Sequence, residues 1–203
     1  MQEPFWEAFY RRDDVTAFSD SPNPTLVAYE ELLDRQAPVL DAGCGEGQNA
    51  LYLARRGFTA VRAFDLSQNA VDKVRRRCTA EELQMDVFAD DLTRFRFDRE
   101  YGLVMCFGTM HFVPRHAWKQ FIAEAKARTR VGGIHIMQIF TDTVPITEDL
   151  APFAVGMAKE GELAAQYQDW EILQHRAYVF DDRHDHLPLH QHAANKLVAR
   201  RLR

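Results

Sequence analysis

The sequence predicts an α/β fold, a largely parallel sheet with helices on both faces. Two observations lead there. From about Thr25 onward, short β-type runs alternate with segments of helical periodicity, as in sheets built from crossover units. Three of the predicted strands also end in acids: Asp41, followed by a glycine loop, then Asp65, then Asp90-Asp91. These are the strand ends at which open α/β sheets bind ligands. The chain has 203 residues, 46% of them hydrophobic, which suits a single domain over 1–203 with an N-terminal lead over 1–24 and a core over 25–203.

Each element has its own local signal. Asn23 and Pro24 open a helix expected over Thr25 to about Arg35. Pro38-Val39-Leu40 is a short buried strand leading into Asp41. A helix from about Gln48 carries Leu51, Leu53 and Ala54 and stops at Gly57. Thr59 to Phe64 forms the second strand, and Ser67 caps a helix that runs through Val71 and Val74 to about Arg77. The third strand is placed at Leu83 to Ala89 and the fourth at Gly102 to Phe107. Pro114 opens a helix with Trp118, Phe121, Ile122 and Ala125 at helical spacing. Gly132-Gly133 turns into a fifth strand, Ile134 to Phe140. The tail reads as a short helix over Glu160 to Tyr167 and two strands, Glu171 to Val179 and Leu189 to Arg200. These strands form an antiparallel hairpin around a turn from Asp181 to Pro188. The lead and the stretch from Thr141 to Gly156 fall outside the repeating pattern.

Composition excludes several classes of function. No apolar run approaches the ~18 residues of a membrane-spanning helix, and Met1 to Arg12 has no apolar secretion core, so a cytoplasmic protein without a membrane partner is expected. The net charge is −5 with Lys and Arg spread along the chain, which argues against nucleic acid as the main partner. The longest basic run, Arg75-Arg76-Arg77, reads as the solvated end of a helix. Cys44, Cys78 and Cys106 lie far apart and are expected to be reduced. A monomer or homodimer acting on a small molecule fits these bounds.

The sharpest chemical signal is Asp41-Ala42-Gly43-Cys44-Gly45-Glu46-Gly47, a D-x-G-x-G-x-G loop between strand and helix. Glycines let the backbone turn sharply and approach a ligand, and the helix that follows offers free N–H groups. A dinucleotide loop would need its third glycine at position 48, which is Gln48, and no Gly-Lys-Ser/Thr follows for a nucleotide phosphate. An acid two residues before the first glycine suits a ligand with an ammonium and a sulfonium. Asp65, about twenty residues on, is placed to accept two ribose hydroxyls, and Asp90-Asp91 to accept an adenine amine. The plainer alternatives are a helix cap for Asp65 and a turn begun by Asp91-Leu92-Thr93.

At this point the sequence resembles the class I methyltransferases, and more closely the tellurite-resistance (TehB-type) family. The resemblance rests on Asp41 to Ala54 for the cofactor loop and first helix. It also rests on Lys159-Glu-Gly-Glu-Leu163 with Tyr167 and Asp169-Trp-Glu171 for the tail, and it spans about residues 38 to 201. It implies a Rossmann-like, mostly parallel seven-stranded sheet whose last strand is antiparallel. It implies methyl transfer from S-adenosylmethionine, leaving S-adenosylhomocysteine, to a small soft acceptor such as tellurite, selenite or a thiol. The cofactor set it marks is Asp41, Gly43, Cys44, Gly45, Gly47 and Asn49 on the loop and helix, Asp65 and Leu66 after the second strand, and Asp90, Asp91, Leu92 and Phe107 beyond. A methyltransferase of a natural product or other metabolite, or a cofactor-binding regulator without catalysis, satisfies the same residues. The last hairpin departs from the family, reading His184-Asp-His186-Leu-Pro-Leu-His190-Gln-His192 where the resistance proteins carry His-Arg and a later Arg.

The loop Phe107 to Phe112 should border the transferred methyl, making His111 a candidate base or orienting donor; packing beside the Pro114 helix is its alternative. His190 and His192, spaced i, i+2 on a strand, face the same way and are candidates to touch the acceptor. Solvated hairpin histidines and a metal site are the competing readings, and no metal ligand is assigned because this transfer needs no metal. Trp6, Phe9, Tyr10 and Phe18 are expected to form a lid over the acceptor pocket.

Overall fold

The computed structural model describes residues 3–17, 19–183 and 188–203. Seven strands, β1 (Val39–Ala42), β2 (Val61–Asp65), β3 (Asp86–Ala89), β4 (Tyr101–Phe107), β5 (Thr129–Phe140), β6 (Glu171–Asp182) and β7 (His190–Arg200), form one sheet in the order β3-β2-β1-β4-β5-β7-β6. The first five run parallel; β7 lies antiparallel between β5 and β6. The family expectation of one reversed strand is therefore met. β1 is buried on both faces, the pattern of a sheet covered on both sides.

The helices are α1 (Phe5–Tyr10), α2 (Pro24–Tyr29), α3 (Gln48–Arg55), α4 (Gln68–Ala80), α5 (Arg115–Ala127) and α6 (Glu162–Ala165). On one face of the sheet Leu40, Val104 and Met137 pack with Trp118, Phe121 and Ile122 of α5. On the other, Val39, Leu103 and Ile136 pack with Ala50 and Leu53 of α3 and Leu26 of α2. Ser67 caps α4 by accepting the Ala70 N–H at 3.2 Å, as its position predicts. The cysteines Cys44, Cys78 and Cys106 are buried and unbonded. Among the described residues no helix is long and apolar enough to cross a membrane.

Several boundaries differ from expectation, each for a local reason. The first core helix ends at Tyr29 and tightens into a 3-10 turn over Glu30–Leu32, where the buried Glu30 meets Tyr52 and Arg56. The third strand starts three residues late. Glu82 takes a left-handed φ of 54° and the Leu83 N–H bonds back to Cys78, so the chain is still closing α4. The fifth strand starts early, at Thr129, with a register irregularity opposite Tyr101/Leu103. α1 was not expected as a helix.

Candidate active site

At the C-terminal edge of the parallel strands lies a cavity of about 350 Å³, within the range of small-molecule sites. The turn after β1 supplies Gly43, Cys44, Gly45 and Glu46, and the turn after β2 supplies Asp65, Leu66 and Ser67. Asp90, Asp91 and Leu92 follow β3, and Phe107, Gly108, Thr109, Phe112 and Val113 follow β4. Pro4, Trp6, Glu7 and Tyr10 complete the wall from the lead.

The glycines are dictated by backbone and packing together. Gly43 has φ +69°, and a Cβ there would sit 2.3 Å from the Thr109 hydroxyl, which donates to the Gly43 carbonyl at 3.1 Å. Gly47 has φ +75°, and a Cβ there would lie 2.8 Å from Val74 of α4. Gly43 thus keeps the loop against the β4 turn, while Gly47 brings α3 against α4.

Asp65 stands half-buried on the wall. Its two carboxylate oxygens accept the Gly45 N–H (2.8 Å) and the Ser67 N–H (3.0 Å). A carboxylate oxygen can accept more than one hydrogen bond, and Asp65 lines the cavity. Burial pushes its pKa up, while the Ser67 and Gly45 amides pull the other way. Asp91 begins the turn that was its alternative reading. One oxygen accepts both the Thr93 N–H (2.9 Å) and hydroxyl (2.7 Å), and the other lies 3.4 Å from Arg94. Asp90 accepts the Asp91 N–H at 2.7 Å.

Three of the cofactor candidates lie off the wall. Gly47 faces α4, as above. Asn49 is buried on the inner side of α3, where its carbonyl accepts the Asn23 N–H at 2.8 Å and so ties α2 to α3. Asp41 lies behind the loop, 1% exposed, with its Oδ2 lacking a hydrogen-bond partner among the described residues. Burial raises its pKa to about 7, Asp65 adds to the rise and the Ala50 amide opposes it.

None of the three candidate catalytic histidines is on the wall. His111 is 1% exposed, neither ring nitrogen has a hydrogen-bond partner among the described residues, and its ring stacks on Phe140 at 4.3 Å. Burial, then His192, pulls its pKa down to about 3, so it is neutral at working pH. His192 stacks on the same Phe140 at 4.9 Å and is buried, so it is not a solvated hairpin residue. His190 and His192 do share a face, with Nε2 atoms 3.2 Å apart. His184 and His186 lie outside the described residues.

Of the lead aromatics, Trp6 and Tyr10 line the cavity, while Phe9 is off its wall. Trp6 packs against Phe112 (4.8 Å) and Phe153 (5.6 Å), Tyr10 is buried, and Phe9 contacts Phe5; Phe18 lies outside the described residues. What holds the lead is a stripe on α4 that sequence reasoning missed. Asn69 donates to Glu7 at 2.8 Å. Lys73 donates to the Phe9 carbonyl (3.2 Å), the Val15 carbonyl (2.6 Å) and Glu46 (2.6 Å). Arg76 pairs with Asp13 (2.8 Å) and Arg77 with Asp20 (3.0 Å), so this end of α4 docks the lead and is not simply solvated. The i, i+4, i+7, i+8 spacing puts all four on one helix face. Glu46 closes the set by accepting the Ala17 N–H at 2.8 Å.

A parallel sheet with one reversed strand, a glycine turn after β1 and an acid after β2 define the Rossmann-like methyltransferase fold. Residues 27–186 match the family model described as tellurite resistance protein TehB, and the chain belongs to that family. Hemagglutinin 1 of Eikenella corrodens is 34% identical over 159 residues, covering 76% of this chain and 51% of that one. The probable S-adenosyl-L-methionine-dependent methyltransferase TehB of Haemophilus influenzae is 30% identical over 139 residues, covering 68% and 47%. A crystal structure of TehB from the same species superposes with a TM-score of 0.80 at 23% identity, covering 97% and 66%. The 2-heptyl-1-hydroxyquinolin-4(1H)-one methyltransferase of Mycobacteroides abscessus is 31% identical, covering 74% and 66%. The chain thus spans about half the length of the first two curated relatives.

Proposed function

We propose that this chain transfers the methyl group of S-adenosylmethionine to a small acceptor that carries no negative charge, a thiol or an aromatic metabolite. The observation that carries the acceptor class is the wall. It presents Glu7, Glu46, Asp65, Asp90 and Asp91, and no Lys, Arg or His among the described residues. An oxyanion would meet carboxylates there without a counter-charge, whereas a cationic cofactor is favoured. Tellurite, which the family's name suggests, is the second reading, and the wall argues against it. The unbonded Cys44, Cys78 and Cys106 support a reducing, cytoplasmic setting.

Bound S-adenosylmethionine supplies an electrophilic methyl on a sulfonium, and transfer leaves S-adenosylhomocysteine. Asp65 accepts the ribose hydroxyls, Asp90 with Asp91 the adenine amine, and the orphaned Oδ2 of Asp41 answers the positive end through the loop. Phe107, Thr109, Phe112, Val113 and Trp6 bound the acceptor end, and α1 shields it from bulk water. The work is orientation and exclusion of water: a thiol is soft enough to need no strong base and releases its proton to solvent, whereas a phenol would give its proton to a wall carboxylate. His111, buried and neutral, helps by packing.

Asp65→Ala should weaken S-adenosylhomocysteine binding by about 10–100-fold, or ~1.5–3 kcal/mol, by calorimetry. Unchanged affinity would remove Asp65 from the site. A screen following S-adenosylhomocysteine formation with tellurite, selenite, thiols, amines and phenols tests the acceptor. Thiols or phenols should exceed both oxyanions in kcat/KM by at least about tenfold, or ~1.4 kcal/mol. The reverse order overturns the acceptor class, and tight cofactor binding without any transfer overturns the catalytic reading.

A further inference from the structure

From the hairpin that closes the sheet, we propose that Asp182, His190 and His192 bind a divalent first-row transition-metal ion of the zinc type. The register brings them together. Asp182 on β6 pairs directly with His190 on β7, and His192 follows two residues along, on the same face. One ligand atom from each lies within 4.8 Å of the others. The two Nε2 atoms are 3.2 Å apart and His192 Nε2 is 3.7 Å from Asp182 Oδ2. Two ligands on one tetrahedral zinc at ordinary bond lengths stand about 3.3 Å apart, so the 3.2 and 3.7 Å separations are near those an ion would impose, and the Asp182–His190 gap is at most 4.8 Å. A small rotation of the half-exposed Asp182 closes the widest gap.

The tautomer is also set for a ligand. His190 Nδ1 lies 2.9 Å from the Pro188 carbonyl, which can only accept. With Nδ1 donating there, Nε2 is the ring nitrogen that would ligate an ion, and it faces His192 Nε2. A backbone carbonyl on the second ring nitrogen is the usual outer support of a metal-bound histidine. Two imidazoles with one carboxylate suit zinc or iron(II) and not magnesium or calcium, which take oxygen ligands. The site stands on the ligand edge of the sheet, since His192 stacks on Phe140 at the end of β5. None of the three ligands lines the cavity, so the ion joins β6 to β7 and is no part of the cofactor site.

The test uses the full chain stripped with a chelator and titrated with zinc chloride, then with cobalt chloride. One zinc per chain should bind, cobalt should give visible d–d absorption of a nitrogen-oxygen site, and zinc should raise Tm. Outer-shell losses at metal sites cost about 10–100-fold in affinity, so His190→Ala and Asp182→Asn, both at partly exposed positions, should weaken zinc by at least that much. They should also abolish the Tm gain and leave S-adenosylhomocysteine affinity unchanged. Absence of stoichiometric zinc binding, or equal affinity in both variants, overturns the proposal. Because the readouts are metal binding and Tm, failure of the methyl-transfer reading leaves this result unaffected.

Discussion

Lys73→Met should destabilise the fold by about 3–5 kcal/mol, because it removes one member of a buried ion pair and strands the other. Lys73 and Glu46 are both nearly inaccessible and stand 2.6 Å apart. Lys73 also satisfies the carbonyls of Phe9 and Val15, which would lose a charged donor in the same step. Urea unfolding at neutral pH measures the loss. The same variant should free the lead, so trypsin should cut after Arg11 or Arg12 faster than in the parent. The double variant Lys73→Met, Glu46→Leu separates pair from packing. Replacing a whole buried pair by apolar groups is often neutral or better, so the second change should return much of the lost stability. The lead should stay loose in the double variant, since its carbonyls regain no donor. A Lys73→Met protein as stable and protease-resistant as the parent would show that the lead is held by its aromatics alone.

That anchoring marks the limit of what the sequence could disclose. The alternation of strands and helices, the glycine turn and Asp65 are local patterns, and periodicity with strand-end chemistry is enough to read them. The grip of Lys73 on the Phe9 and Val15 carbonyls has no local signature, because one partner is a side chain and the others are backbone atoms some sixty positions away. Arg76 and Arg77 therefore looked like a solvated helix end until Asp13 and Asp20 were seen opposite them. Asn49 failed for a related reason. Its place on the first turn of α3 was legible, but which side of that turn faces Asn23 depends on how α2 docks.

The histidines show the same division. Spacing alone put His190 and His192 on one face, and the structure agrees. It could not say that His192 and His111 would both stack with Phe140, because that depends on the register of β7 against β5. Only the pairing of Asp182 with His190 reveals a ligand-like cluster, and that pairing crosses the hairpin.

Asp41→Asn should make the cofactor-free protein more stable above pH 7 and flatten its pH dependence. Burial raises the Asp41 pKa from 3.8 to about 7 in the fold. Between those values the folded chain holds a proton that the unfolded chain has released. The unfolded state thus binds fewer protons, and the slope of stability with pH is negative. This contribution is complete below about pH 4, is lost as pH rises through about 7, and is constant above that. A shift of this size corresponds to roughly 4 kcal/mol at one buried group. Asparagine keeps the shape without the charge, so its stability curve should run flat across the window and cross above the parent's. Cofactor binding should report the opposite preference. The positive end of S-adenosylhomocysteine favours an ionised Asp41, so the parent should bind it about tenfold more tightly at pH 8 than at pH 6. In the asparagine variant that pH dependence should disappear, and affinity at pH 8 should fall by at least the same factor. Parallel curves for parent and variant, in stability and in binding alike, would mean that the carboxyl behind the glycine loop titrates alike in the folded and unfolded chain and takes no part in holding the cofactor.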